Sequence, residues 1–299
     1  MKRSKIFPLV VLVPILLLVC VFVLYPLGYS IYSSFFLWRP ESPSQSIFIG
    51  MGNYIKLFTD DPRFMISLKN TAIYVSIKTI IVVFVGIGIA LILNKVHRLQ
   101  KVYIFFIFLP FLCLPAAIGV LFKYFYQPTF GIINQLLNSV GLPSQSFLSS
   151  STQALYSVIA VDIWQTLGFS TLIFFTGLIN MSKVYVEAAE IDGAGPVRVF
   201  FNITFPLLRH TFIFISIYTM ILAFQAFDFV YVMTSTGGGA GGSAGGPGNS
   251  TFVLSFLIYN EGMLRVQLDR AGAVGFILFI IILTLTILQY WVLKPKWEY

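Results

Sequence analysis

Long apolar runs separated by shorter polar stretches set the pattern of this chain. A run of about 20 apolar residues predicts a membrane-spanning helix, because that length crosses the hydrocarbon core of a bilayer. Six such spans are expected, at about 6–32, 71–93, 102–125, 154–179, 210–233 and 271–293. The first, "IFPLVVLVPILLLVCVFVLYPLGYSIY", is longer than a signal-peptide core and has no small-x-small cleavage site, so it is expected to be retained. Backbone groups in lipid must be satisfied within the segment, which makes the spans helical. Pro14, Pro26, Pro110 and Pro115 predict kinks. The expected fold class is an all-α polytopic membrane protein with six transmembrane helices.

Composition agrees. Of 299 residues, 58% are hydrophobic and only 10% charged, against roughly a quarter charged in soluble domains. The aromatic share, 17%, suits a lipid-facing surface with interfacial belts. The net charge of +8 comes from basic residues scattered at span ends, a topology signal and not a nucleic-acid surface. Eleven Lys and Arg lie on the two tails and on the second-to-third and fourth-to-fifth connections, against seven in the much longer opposite loops. The positive-inside rule therefore predicts both termini in the cytoplasm. Cys20 and Cys113 each sit within an apolar run and are read as small hydrophobes. His97 and His210 have no partner at metal or catalytic spacing and read as interfacial residues. No catalytic constellation stands out. The glycine-rich piece "TGGGAGGSAGGPGNST" within loop 234–270 lacks the Gly-Lys-Ser/Thr ending of a nucleotide loop, so the chain is expected to bind no ATP itself. That piece is expected to be flexible. Loop 33–70 mixes charge and aromatics, and loop 126–153 has no charged residue.

One acidic cluster breaks the pattern. In "EAAEIDGAG", Glu187 to Gly195, three carboxylates fall within six residues between two apolar runs, on the side expected to be cytoplasmic. Ser182 is placed to cap a helix carrying Glu187 and Glu190. Gly193 is placed to end it, and Pro196 to start the next. Ala188 and Ala189 form a small face, with Val184, Val186 and Ile191 as apolar contacts. These features suit a docking element, and equally an ordinary solvated loop.

The stretch "EAAEIDGAGPVRVFFNITFPLL", Glu187 to Leu208, resembles the EAA loop of ABC importer permeases. "YPLGYSIYSSF", "GMGNYIKLFTDDPRF", "SLKNT", "IWQTLGFS", and "FDFVYVMT" followed by "GGPGNST" are similar to the sugar-importing branch, in order along nearly the whole chain. The chain departs at Ser182, where the family commonly has proline, and in extra residues at about Gly237–Ala244. The resemblance implies a type I ABC importer permease fold, with segment 182–208 as the coupling helix of a separate ATPase. Glu187, Ala188, Ala189, Asp192, Gly193 and Ala194 are then the coupling residues. It further implies a second homologous permease, two ATPase subunits carrying ATP and Mg, an extracytoplasmic solute-binding protein, and a place in the cytoplasmic membrane of a bacterium or archaeon. No cofactor is expected on this chain.

For the solute path, Asp162, Gln165, Thr166 and Phe169 recur at i, i+3, i+4 and i+7 on one helix face, with Trp164 beside them. Carboxylate, amide and hydroxyl groups with an aromatic platform suit a polyhydroxylated solute; the same stripe also reads as interhelical polar glue. By the resemblance, Thr219, Leu222, Ala223 and Ala226 occupy ligand-contact positions on the fifth span, though they are mostly small and apolar here. Gln225 and Asp228 lie off that stripe and are expected to face the second permease. Lys78 reads as a residue that snorkels to the outer interface. The solute expected is a sugar, oligosaccharide or related polyol. Glycerol phosphate would call for a strongly basic pathway, which this face does not show. A secondary transporter with Asp162 as proton site is the reading from another class.

Overall fold

A computed structural model describes residues 6–38, 46–96, 98–235 and 245–294. His97 and the extra residues Gly237–Ala244 fall outside these. In chain order the helices are α1 (Ile6–Val19), α2 (Tyr25–Ser33), α3 (Gly52–Thr59), α4 (Pro62–Lys95), α5 (Gln100–Leu112), α6 (Pro115–Phe125), α7 (Ile132–Ser139), α8 (Ala154–Ile179), α9 (Lys183–Ile191), α10 (Pro196–Val199), α11 (Phe205–Leu207), α12 (Arg209–Phe224), α13 (Asp228–Thr234), α14 (Leu254–Tyr259) and α15 (Leu268–Leu293). The helical expectation has one small exception among the described residues. Strands β1 (Phe36–Leu37) and β2 (Ile47–Phe48) pair antiparallel, Phe36 opposite Phe48.

Four segments are long and apolar enough to cross a membrane: Leu12–Ser33, Pro62–Lys95, Ala154–Ile179 and Leu268–Leu293. Two bent pairs bring the number to six, Gln100–Leu112 with Pro115–Phe125 at 94° and Pro196–Leu207 with Arg209–Phe224 at 71°. At 34 residues, α4 starts nine residues before the expected second span. Asp61 accounts for this early start. Its Oδ1 accepts the Arg63 amide at 3.0 Å, a helix N-cap that the charged "TDDPRF" provides.

Proline placement explains the irregular turns. Single π-turns at Cys20–Leu24 and Phe200–Thr204 each end two residues before a proline, Pro26 and Pro206. A widened turn accommodates the missing N–H and the ring's clash without ending the helix. Pro115 acts more strongly. Cys113 and Leu114 before it are extended (ψ 148° and 129°), so the expected third span is two helices.

The chain forms two compact units, Met1–Met65 with Leu257–Ile280, and Ile66–Phe256 with Ile281–Tyr299. In the first, Asn53 donates to the Ser34 and Phe36 carbonyls at 2.9 Å each, holding α3 against the end of α2 and β1. Glu261 is fully buried and ion-paired with Arg63 at 2.9 Å, while Asp61 takes Arg63 at 3.1 Å and Arg270 at 2.7 Å. Here Asp61 and Arg63 of the polar 33–70 loop are paired within the chain.

In the second unit, α8 is the central helix. Gly168 lets α5 approach so closely that a Cβ there would lie 2.2 Å from the Ile107 carbonyl oxygen; small residues permit such backbone contact between membrane helices. Val83, Ile87, Phe174, Leu178, Leu208 and Ile215 form an apolar core around α4, α8 and α12. The segment after the glycine run, read as loop, contains helix α14 and packs by hydrogen bonds. Asn70 donates to the Ser250 and Phe252 carbonyls at 3.1 and 2.9 Å, and Thr71 Oγ1 accepts the Leu254 amide at 2.9 Å. Phe252, Val253, Leu254 and Phe256 are buried. The apolar stretch "TFVLSFLIY" is too short for a span yet long enough to form a buried helix.

Candidate functional site

Two helix breaks open on one cavity. The first is Cys113–Leu114, before Pro115. The second lies at Gln225–Phe227, between α12 and α13, where the sequence has neither Pro nor Gly. Residues around both breaks, with the middle of α8, line a cavity of about 380 Å³. Irregular backbone at membrane depth is tolerated where it lines a cavity or meets protein partners. Both kinds of compensation occur. Gln165 Nε2 donates to the Cys113 carbonyl at 2.8 Å, and the Ser255 hydroxyl donates to the Ala226 carbonyl.

The polar centre beside it is an ion pair. Lys78 Nζ lies 2.8 Å from both oxygens of Asp162. Tyr74 OH donates to Asp162 Oδ2 at 2.6 Å. The Thr166 hydroxyl is 2.8 Å from the Asp162 carbonyl and 3.3 Å from its Oδ1. Lys78 and Asp162 are 3% and 5% exposed. Lys78 therefore does not snorkel. A buried ammonium needs a counter-charge, and Asp162 lies within its reach on α8. Asp162 is correspondingly a fully partnered group.

Of the expected path residues, Asp162, Gln165, Thr166, Leu222, Gln225 and Ala226 line the cavity. Thr219 and Ala223 are buried in packing, at 1% and 2% exposure. Trp164 lies outside the cavity lining; it is exposed and packs on Phe122, with ring centroids 5.3 Å apart. Phe169 stacks on Phe111 (4.9 Å) and packs tilted against Tyr218 (4.9 Å), and those two rings reach the cavity. Gln225 and Asp228 line the cavity at the break that ends the helical register of α12. Sequence reasoning missed Tyr74 as a partner of Asp162, although Tyr74 and Lys78 are four apart and share a face.

The acidic segment forms a second site. Helix α9 ends in a Schellman motif: Gly193 N–H donates to the Glu190 carbonyl (3.0 Å) and Ala194 N–H to the Ala189 carbonyl (2.9 Å). Gly193 sits at φ +79°, the left-handed conformation that glycine adopts without a Cβ penalty. Ser182 occupies the N-cap, but its hydroxyl makes no capping bond, so the expected serine cap is positional only. Glu187, Ala188 and Asp192 are exposed, and Ala189 and Ala194 half-buried. Val184, Tyr185, Ile191 and Val197 are exposed apolar side chains, Ile191 at 86%. A cavity of about 530 Å³ lies beneath, between Val186, Glu190 and Phe200 and the end of α4.

Residues 82–297 match the family described as binding-protein-dependent transport system inner membrane component. The chain belongs to this family. The permease is 32% identical, over 96% of both chains, to a probable ABC transporter permease protein, YurN, of Bacillus subtilis (strain 168). It is 29% identical to the sulfoquinovosyl glycerol transport system permease protein SmoG of Agrobacterium fabrum, over 98% of this chain and 92% of the relative. It is 31% identical to the sn-glycerol-3-phosphate transport system permease protein UgpA of Yersinia pestis, over 98% and 95%. Its fold is that of a bacterial ABC transporter chain involved in import of the acidic polysaccharide alginate, with TM-score 0.84, 19% identity and coverage of 99% and 98%. A second structure of an alginate ABC transporter, in complex with an alginate pentasaccharide-bound periplasmic protein, matches with TM-score 0.82 and 19% identity over 98% and 95% of the chains. The permease is a multi-pass membrane transport subunit and not an enzyme, which sets aside the secondary-transporter reading.

Proposed function

We propose that this permease forms part of the translocation path of an ATP-driven importer for a sugar, oligosaccharide or related polyol. It works with a second homologous permease, with two ATPase subunits that carry ATP and Mg, and with an extracytoplasmic solute-binding protein. It lies in the cytoplasmic membrane of a bacterium or archaeon, with both termini in the cytoplasm. The observation that carries the coupling role is the surface of α9. A capped nine-residue helix presents Val184, Tyr185 and Ile191 to solvent beside Ala188 and the acids Glu187 and Asp192. An apolar and small-residue face of this kind is a recognition surface for another protein. The relatives named for transport systems, and the neighbour held with a periplasmic protein, support the remaining partners.

The experiment is reconstitution of the complete complex in vesicles with Ala188→Arg. Retained assembly in the membrane, with ATP hydrolysis no longer coupled to uptake, is the expected result. Normal coupling at wild-type stoichiometry would remove α9 from the transmission role.

A further inference from the structure

Among the described residues, the cavity at the helix breaks has one uncompensated charge, and it is negative. Lys78 is the only cation lining it among the described residues, and its ammonium is held by both Asp162 oxygens at 2.8 Å, with Tyr74 and Thr166 on the same carboxylate. Asp228 lines the same cavity, is exposed, and has no ion pair among the described residues. Gln225, also exposed, adds an amide, and Phe111, Tyr218 and Phe227 add ring surface.

A free carboxylate accepts hydroxyl hydrogens in charge-assisted bonds and repels phosphate, sulfonate or carboxylate groups brought beside it. An ammonium already closed into an ion pair cannot offset that repulsion without breaking the pair. We propose that this cavity selects neutral, hydroxyl-rich solutes over anionic ones, with Asp228 as the hydroxyl acceptor and the Lys78–Asp162 pair withholding the cation an anionic solute would need. The inference rests on the reading that the cavity lies on the solute path. It sets this permease apart from relatives whose names specify a phosphate or sulfoquinovosyl solute, although it aligns with them over more than nine-tenths of each chain. A shared fold leaves such differences to a few side chains.

Cys113 supplies the test, because it lines the cavity, is exposed, and is one of only two cysteines. In a C20S permease, assembled in membranes with partner subunits free of cysteine, Cys113 is modified by a cationic (trimethylammonium) and an anionic (sulfonate) ethyl methanethiosulfonate. Each rate is divided by that of a small thiol in solution. Any effect of the local potential on thiol ionisation is common to both reagents and cancels in the ratio. The expected cationic-to-anionic ratio is about five to ten, as for one carboxylate several ångströms away across water. D228N brings it close to one, and D162N, which frees Lys78 to offset Asp228, lowers it toward one as well. D228N alters an exposed side chain, so it keeps the test decisive where D162N does not assemble. A wild-type ratio at or below one overturns the charge selection while leaving the path intact. Absence of modification by either reagent, from either side, overturns the path reading itself.

Discussion

The centre of α8 and the helix α9 invert the usual distribution of polarity in opposite senses. At membrane depth, within a 26-residue apolar helix, the permease buries a carboxylate, an amide and a hydroxyl, and faces them with a lysine. Outside the spans, where water is available, it exposes valine, tyrosine and isoleucine on a short helix. The buried polar groups find their partners within the chain: Asp162 with Lys78 and Tyr74, Gln165 with the Cys113 carbonyl. The exposed apolar groups do not. One region is therefore complete in the isolated subunit, while the other becomes complete only when something covers it. Stability should respond to changes in the first, and coupling to changes in the second.

The largest break in that contrast is Asp162→Ala. It leaves the Lys78 ammonium buried without a counter-charge, a change that costs about 3–5 kcal/mol. The permease should then be lost from the membrane or strongly destabilised in detergent, read as folded yield and thermal midpoint. The double change Lys78→Met with Asp162→Leu removes both charges and should recover most of the loss. If the double variant is no better than Asp162→Ala, the pair is not what stabilises α4 against α8.

Gln165→Leu follows in size. The amide closes the Cys113 carbonyl freed by Pro115, and losing it should cost about 1–2 kcal/mol, less if water from the cavity replaces it. The expected readout is a lower thermal midpoint with uptake retained, which would make Gln165 a support of the break and not a solute contact. Loss of uptake with an unchanged midpoint would reverse that assignment.

These two residues also show how far the sequence could be read. The i, i+3, i+4 spacing placed Asp162, Gln165 and Thr166 on one face, and they share one. Helical periodicity does not reveal which group on another helix will meet that face, so the sequence alone does not set Lys78 opposite Asp162. The same limit governs the fifth span. A period counted from Thr219 holds only while the helix continues, and it ends at Phe224 with no proline or glycine to mark it. The Ser255 hydroxyl, from a segment read as loop, takes the Ala226 carbonyl there. Where chemistry is local the reading was close: Pro115 breaks its span, and Gly193 takes the left-handed turn after α9. Ser182 took its cap position without its bond, since a hydroxyl can fill an N-cap while turned elsewhere.

On the exposed side, Gly193→Val places a β-branched residue at φ +79°. A Cβ there meets no other atom within 4 Å, so the penalty is conformational strain of about 1–2 kcal/mol and not a clash. That strain falls on the last turn of α9, outside the apolar core. The subunit should still insert with a thermal midpoint close to wild type, while ATP hydrolysis in the assembled transporter loses its dependence on solute. A large fall in the midpoint would show that the turn stabilises the spans and would weaken the division between the two regions.

Ile191→Ser should have the smallest effect on the subunit and the most selective effect on the complex. The side chain is 86% exposed, so removing it takes little apolar surface out of this chain's own packing. Surface substitutions of that kind stay within about 0.5 kcal/mol. If the ATPase covers Ile191 on docking, the same change removes a buried branched side chain from the interface, worth about 1.5–3 kcal/mol when fully covered. Affinity for the ATPase should then fall by roughly tenfold to a hundredfold, measured by titrating the ATPase against permease in nanodiscs. The two readouts must move independently for the contrast to hold. A thermal midpoint that drops in step with affinity would mean that Ile191 supports α9 itself, and an unchanged affinity would leave its exposure to water with no partner to explain it.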